Sequence, residues 1–185
     1  MVKAMKKVLA CALAAVLTLG VAVDASAATS SPVASVEPVT KEDVKATNGT
    51  KVDIKSNGTA TLNSLSSSVS KKKSVTISST VTVNGVKYKV TTVGAGAFAK
   101  AKKATKITLP ATITKINKNA FKGAKKVKTI VLKSSKAITV KKGAFAGVNT
   151  KKITIKVSKK MSKKQLAKLK KTLKKAGFKG KVKRA

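Results

Sequence analysis

The sequence has no histidine and no tryptophan, one cysteine (Cys11), one arginine (Arg184) and only five acidic residues in 185. The acids are Asp24, Glu37, Glu42, Asp43 and Asp53, so from Ile54 to Ala185 the chain has no carboxylate side chain, imidazole or thiol. General acid–base pairs, Ser-His-Asp or Cys-His nucleophilic arrangements and His/Cys/Asp metal sites each need a group that this stretch lacks. No catalytic, metal or cofactor-binding residue is therefore assigned, and the chain reads as a non-enzyme. The near-absence of arginine excludes something further. Its planar fork suits bidentate recognition of phosphates and base edges, whereas lysine is a hydrated point charge. Apart from Arg184, the 42 cations are lysines, and the formal charge is +37. Such a chain is expected to attract polyanions unspecifically, or simply to be well solvated, rather than to read a nucleic-acid sequence.

What is present is an ordinary apolar fraction, 42%, in a length that suits one domain with a tail. Residues 1–27 combine Lys3, Lys6 and Lys7, an apolar run from Val8 to Val23, and the small-residue pattern Ala25-Ser26-Ala27. This is the composition of a cleaved secretory signal. The run is too short and too interrupted, by Thr18 and Gly20, for a membrane span of about 20 apolar residues. Cleavage removes three lysines, one aspartate and the only cysteine, leaving +35 on a secreted, thiol-free chain with no transmembrane segment. Residues 28–57 read as a flexible linker with short β segments, containing Pro32 and Pro38 and the turn pairs Asn48-Gly49 and Asn57-Gly58. Val81-Thr82-Val83, Asn84-Gly85 and Val86-Lys87-Tyr88 spell a two-residue hairpin inserted at 81–90.

The most informative pattern is an internal repeat. Ala97-Phe98, Ala120-Phe121 and Ala144-Phe145 recur at intervals of 23 and 24 residues, and five residues before each Phe stands Val93, Ile116 or Val140. Eight or nine residues after each Phe come Ile107-Thr108-Leu109, Ile130-Val131-Leu132 and Ile153-Thr154-Ile155, with Val75-Thr76-Ile77 as an earlier copy. A fixed period in this range predicts a β-rich solenoid of short strands and short helical turns, each turn burying its apolar face against its neighbours. Three of the four phenylalanines occupy this one phase, and they are expected to form a core stack rather than platforms for bases or sugars.

The segments Ala111–Gly123 (ATITKINKNAFKG) and Lys128–Leu132 (KTIVL) resemble BspA-type leucine-rich repeats. The resemblance spans roughly residues 58–182, with repeats over 58–157. It departs from the family pattern after the glycine, where Ala124 and Val127 replace the usual Cys and Leu. It implies a leucine-rich-repeat-like fold and a place among secreted and surface proteins of anaerobic bacteria, some of them linked to adhesion to matrix proteins or other cells.

Residues 158–185 read as a C-terminal helical cap. Ser162 and Gln165 form a capping box, Met161 and Leu166 a hydrophobic staple, and Leu166, Leu169, Leu173 and Ala176 one apolar stripe. Gly177 ends the helix with Phe178 as its apolar follow-on contact, and Lys181-Val182-Lys183 suggests an edge strand. Alternation along the strands makes Thr76, Thr108, Val131 and Thr154 an outward ladder, flanked by Lys106, Lys133, Lys152 and Lys156, and this is the candidate binding face. The expected partners are an anionic cell-wall polymer, a glycan or a host or cell-surface protein. Unspecific extracellular nucleic-acid binding and a membrane-active basic helix are the alternatives.

Overall fold

Each Val/Ile/Leu triplet of the repeat contributes to a strand, because alternate branched residues give it one apolar face to bury. A computed structural model describes residues 40–185; the signal sequence expected over 1–27 lies outside the described residues. Strands β4 (Ser74–Thr76), β7 (Lys106–Leu109), β9 (Thr129–Leu132), β11 (Thr154–Val157) and β12 (Lys181–Arg184) form one parallel sheet in the order β12-β11-β9-β7-β4. Val75, Ile107, Ile130 and Ile155 are register partners across it, and all are buried.

A second ladder runs through the other half of each repeat. Val93 at the end of β6 (Val86–Val93), Ile116 in β8 (Lys115–Ile116) and Val140 in β10 (Thr139–Val140) pair in parallel and point inward. The Ala-Phe turns also stack: Phe98 N donates to Ala120 O and Phe121 N to Ala144 O, both at 3.0 Å. Phe98 and Phe121 lie 5.0 Å apart with rings 11° from parallel, and Phe121 and Phe145 lie 4.9 Å apart at 6°. The residue before each Ala-Phe has positive φ, at Gly96, Asn119 and Gly143. Glycine and asparagine are the residues that take this conformation at least cost, so the local sequence sets the turn.

Gly123, also at positive φ, lies so close to the preceding turn that a Cβ there would stand 2.4 Å from the Ala99 carbonyl oxygen. Phe178 completes the row against Phe145 at 5.2 Å, tilted by 50°.

The N-terminal part is built differently. Strands β1 (Lys41–Lys45), β2 (Lys51–Ile54) and β3 (Thr59–Ser64) are antiparallel neighbours, and β3 then pairs in parallel with β6. The linker expected over 28–57 is therefore ordered sheet from Lys41 onward. Val52 and Ile54 alternate with Asp53 and bury against Ala60 and Leu62, while turns at Asn48-Gly49 and Asn57-Gly58 supply the reversals. Strands this short show too little periodicity to stand out in sequence. The hairpin of β5 (Thr80–Val83) with β6 has positive φ at both Asn84 and Gly85, as a two-residue type I′ turn requires. A single helical turn, α1 (Ser67–Ser70), is capped by Ser66.

Helix α2 (Lys163–Lys175) starts at Ser162, whose hydroxyl accepts from Gln165 N at 3.2 Å. The expected capping box is only half made. Gln165 Oε1 accepts instead from Ala137 N at 2.9 Å, tying the helix to the segment before β10. The helix ends in a Schellman arrangement, Phe178 N donating to Leu173 O and Gly177 N to Lys174 O. Leu169, Leu173 and Ala176 are buried, and Leu166 is half-buried. No helix of the described residues is long and apolar enough to cross a membrane.

Candidate functional site

Parallel pairing places two outward rows on the five-stranded sheet. One runs Ser74, Lys106, Thr129, Thr154, Lys181, and the other Thr76, Thr108, Val131, Lys156, Lys183. The expected ladder of Thr76, Thr108, Val131 and Thr154 is thus corrected at its last member. Thr154 pairs with Thr129, and Lys156 lies beside Val131. With the 3₁₀ turn at Thr150–Lys152 the arc after Phe145 is one residue longer than the earlier ones, so Ile155, two residues beyond the expected Ile153, aligns with Ile130. A two-residue slip keeps every side chain on its face, which is why Thr154 still points outward.

Thr108 is a second correction. It lies between Thr76 and Val131 on the adjoining strands and is only 8% exposed, so it offers little surface to a partner. Thr76, Lys106, Lys133, Lys152 and Lys156 are exposed, while Val131 and Thr154 are half-buried. The face is uneven along its length. It begins with Ser and Thr on β4 and ends with Lys156, Lys181 and Lys183 on β11 and β12. Lys181 and Lys183 were not in the expected face; the triplet pattern that marks the other strands gives way to Lys-Val-Lys there.

Electrostatically the two ends differ as well. Glu42, Asp43 and Asp53, the only carboxylate side chains of the described residues, sit in β1 and β2. The only ion pair among the described residues is Lys51–Asp43, at 2.7 Å. No group of three or more potential metal ligands occurs among the described residues. A hollow of about 360 Å³, lined by Lys125, Lys126, Lys128 and Lys152 with Thr105 and Asn149, lies at the edge of the sheet rather than on its face.

Parallel strands repeating about every 23 residues, with a ring stack inside each turn, define a leucine-rich-repeat-like protein. The profile of the BspA type Leucine rich repeat region matches residues 91–184 in six copies, and the chain belongs to that family. The match begins at Thr91, so β1–β5 lie outside it. Among solved structures, a leucine-rich repeat protein from Bacteroides capillosus is similar, with 25% identity and a TM-score of 0.50. The similarity covers 66% of this chain and 81% of that one. No curated protein matches the sequence.

Proposed function

We propose that the protein is a secreted, non-enzymatic binding module, a short solenoid closed at its C-terminal end by α2, that adheres to anionic polymers at the bacterial surface by charge. The observation that carries this reading is the unneutralised repeat: from Ile54 onward no carboxylate side chain exists to pair with the exposed lysines. Like charges this close repel within a Debye length of about 8 Å at physiological salt, so a polyanion that occupies the surface relieves a strain internal to the fold. Membership of a repeat family found in surface proteins supports the location, and the secretory composition of residues 1–27 supports export.

Burial of Leu169 and Leu173 on the protein's own body argues against a membrane-active helix, which needs that face free. Fractionation of producing cells with a salt wash tests the reading. Electrostatic retention predicts release from the cell surface into high salt. Protein that stays cell-bound in high salt, or that is already free in low-salt medium, would overturn it.

A further inference from the structure

The lysines are not spread evenly around the repeat. A set of two or three lysines recurs where the chain turns into β4, β7, β9 and β11 of the five-stranded sheet. Lys71–Lys73 precede β4, Lys102 and Lys103 precede β7, Lys125 and Lys126 precede β9, and Lys151 and Lys152 precede β11. All are exposed. The opposite edge, where the chain leaves the sheet, is irregular: Ser78 and Ser79 follow β4 and Pro110 and Ala111 follow β7, whereas Lys133 and Lys136 follow β9 and Lys159 and Lys160 follow β11. Only the entering edge carries lysines at every one of these four turns.

Backbone bonds hold these turns in line. Thr105 N donates to Lys73 O at 2.8 Å, Lys128 N to Thr105 O at 2.8 Å, and Thr154 N to Lys128 O at 2.9 Å. At the last turn Lys179 N donates to the Thr150 hydroxyl at 3.2 Å. The lysine pairs are therefore carried on a fixed ladder that rises by one strand spacing, about 4.8 Å, per turn. The 360 Å³ hollow lies on this edge, between the turn that carries Lys125 and Lys126 and the one that carries Lys152.

We propose that this edge is the binding site for a linear acidic polysaccharide bearing one carboxylate per sugar, lying along the ladder across successive turns. The proposal rests on the polyanion reading above and narrows it to one edge and one ligand class. A pyranose ring advances an extended glycan by about one strand spacing, so the acidic groups of such a chain recur along its axis at the interval of the lysine pairs. Duplex DNA presents a charge about every 1.7 Å along its axis, far denser than the ladder, and phosphate recognition usually recruits arginine. Lysine's compact ammonium needs no fixed approach and suits a ligand read by spacing.

The test is fluorescence anisotropy of the full chain with a labelled oligogalacturonate long enough to cross all the turns, at about 0.1 M salt. The edge variant K102Q/K103Q/K125Q/K126Q is compared with K163Q/K164Q/K168Q/K171Q on α2, which removes the same charge elsewhere. All eight lysines are exposed, and thermal melts verify that both variants fold. The edge variant is expected to bind at least about tenfold more weakly while the helix variant stays within about threefold. Equal weakening in both would overturn the edge site and leave the general polyanion reading intact. Tighter binding per charge to duplex DNA than to oligogalacturonate would overturn the choice of ligand. Failure of the wild type to bind oligogalacturonate, polyphosphate or DNA would remove the polyanion reading itself.

Discussion

In β1–β3 each strand pairs with its neighbour in sequence through a turn marked by Asn-Gly, and the few carboxylate side chains of the described residues sit among the lysines there. Between Thr91 and Arg184 most strands pair in parallel with one about a repeat away, as Ile107 does with Ile130, and no carboxylate side chain is present. The first region is specified locally, by turn chemistry. The second is specified by repetition: one turn has no partner for its apolar edge until the next is in place. The contrast also separates the two electrostatic regimes, since only the first region can neutralise itself.

The sharpest way to break this comparison is at the centre of the ring stack. Phe121 contacts Phe98 on one side and Phe145 on the other and is 1% exposed. Phe121→Ala should cost about 3–5 kcal/mol in urea denaturation. It should also lower the m-value, because the turns on either side lose the residue that couples them. A cost under about 2 kcal/mol with an unchanged m-value would mean that the strands, not the rings, carry the stack.

The next effect compares glycines in the two regions. Gly58, at φ +71°, has open space where a Cβ would go, whereas Gly123, at φ +96°, faces the Ala99 carbonyl. Gly58→Ala should cost about 1 kcal/mol for the backbone alone, and Gly123→Ala about 2–3 kcal/mol, because the preceding turn must move as well. Equal losses in paired thermal melts would show that the turns are not in tight register.

Legibility in the sequence follows the same division. The ring phase, the hairpin at 81–90 and the span of α2 were readable because each depends on a local rule: a repeated Ala-Phe, an Asn-Gly between alternating residues, an amphipathic stripe with a capping serine. The register of β11 was not, since the arc that contains the 3₁₀ turn at 150–152 is longer by one residue only, and Ile153 and Ile155 fit the alternation equally well. Gln165 looked like a partner for its own helix, and only the fold brings Ala137 within its reach. Phe178 joins the ring row although α2 separates it from Phe145 in sequence, so no fixed interval announces it. Of the candidate face, exposure of its lysines was foreseeable from alternation, but burial of Thr108 depends on neighbours from two other turns.

Electrostatic self-repulsion gives a smaller effect that sharpens the contrast. Raising sodium chloride from about 0.05 to about 0.5 M shortens the Debye length several-fold and should stabilise the chain by about 1 kcal/mol, a rise of a few degrees in Tm. The lysine-to-glutamine variant on α2 should have a higher Tm than the wild type at low salt and a weaker salt response. A midpoint that does not move with salt would mean that the exposed lysines are far enough apart to be screened by water alone.

In the acidic corner an ion pair and a hydrogen-bonded carboxylate can be told apart, and the ion pair carries the smallest effect. Asp53 Oδ1 accepts from Asp43 N at 2.8 Å and from the part-buried Asn63 amide. Asp53→Ala leaves both donors without that acceptor and should cost about 1–2 kcal/mol. Lys51 and Asp43 also approach to 2.7 Å, but their side chains are 49% and 59% exposed. Water competes for such a pair, and removing the lysine also lowers the net positive charge. Lys51→Gln should therefore change stability by less than about 0.5 kcal/mol in urea denaturation. A larger loss at Lys51 than at Asp53 would place the strength of the corner in charge pairing rather than in hydrogen bonds to the backbone, and would make neutralisation, not turn chemistry, the reason β1 stays on the sheet.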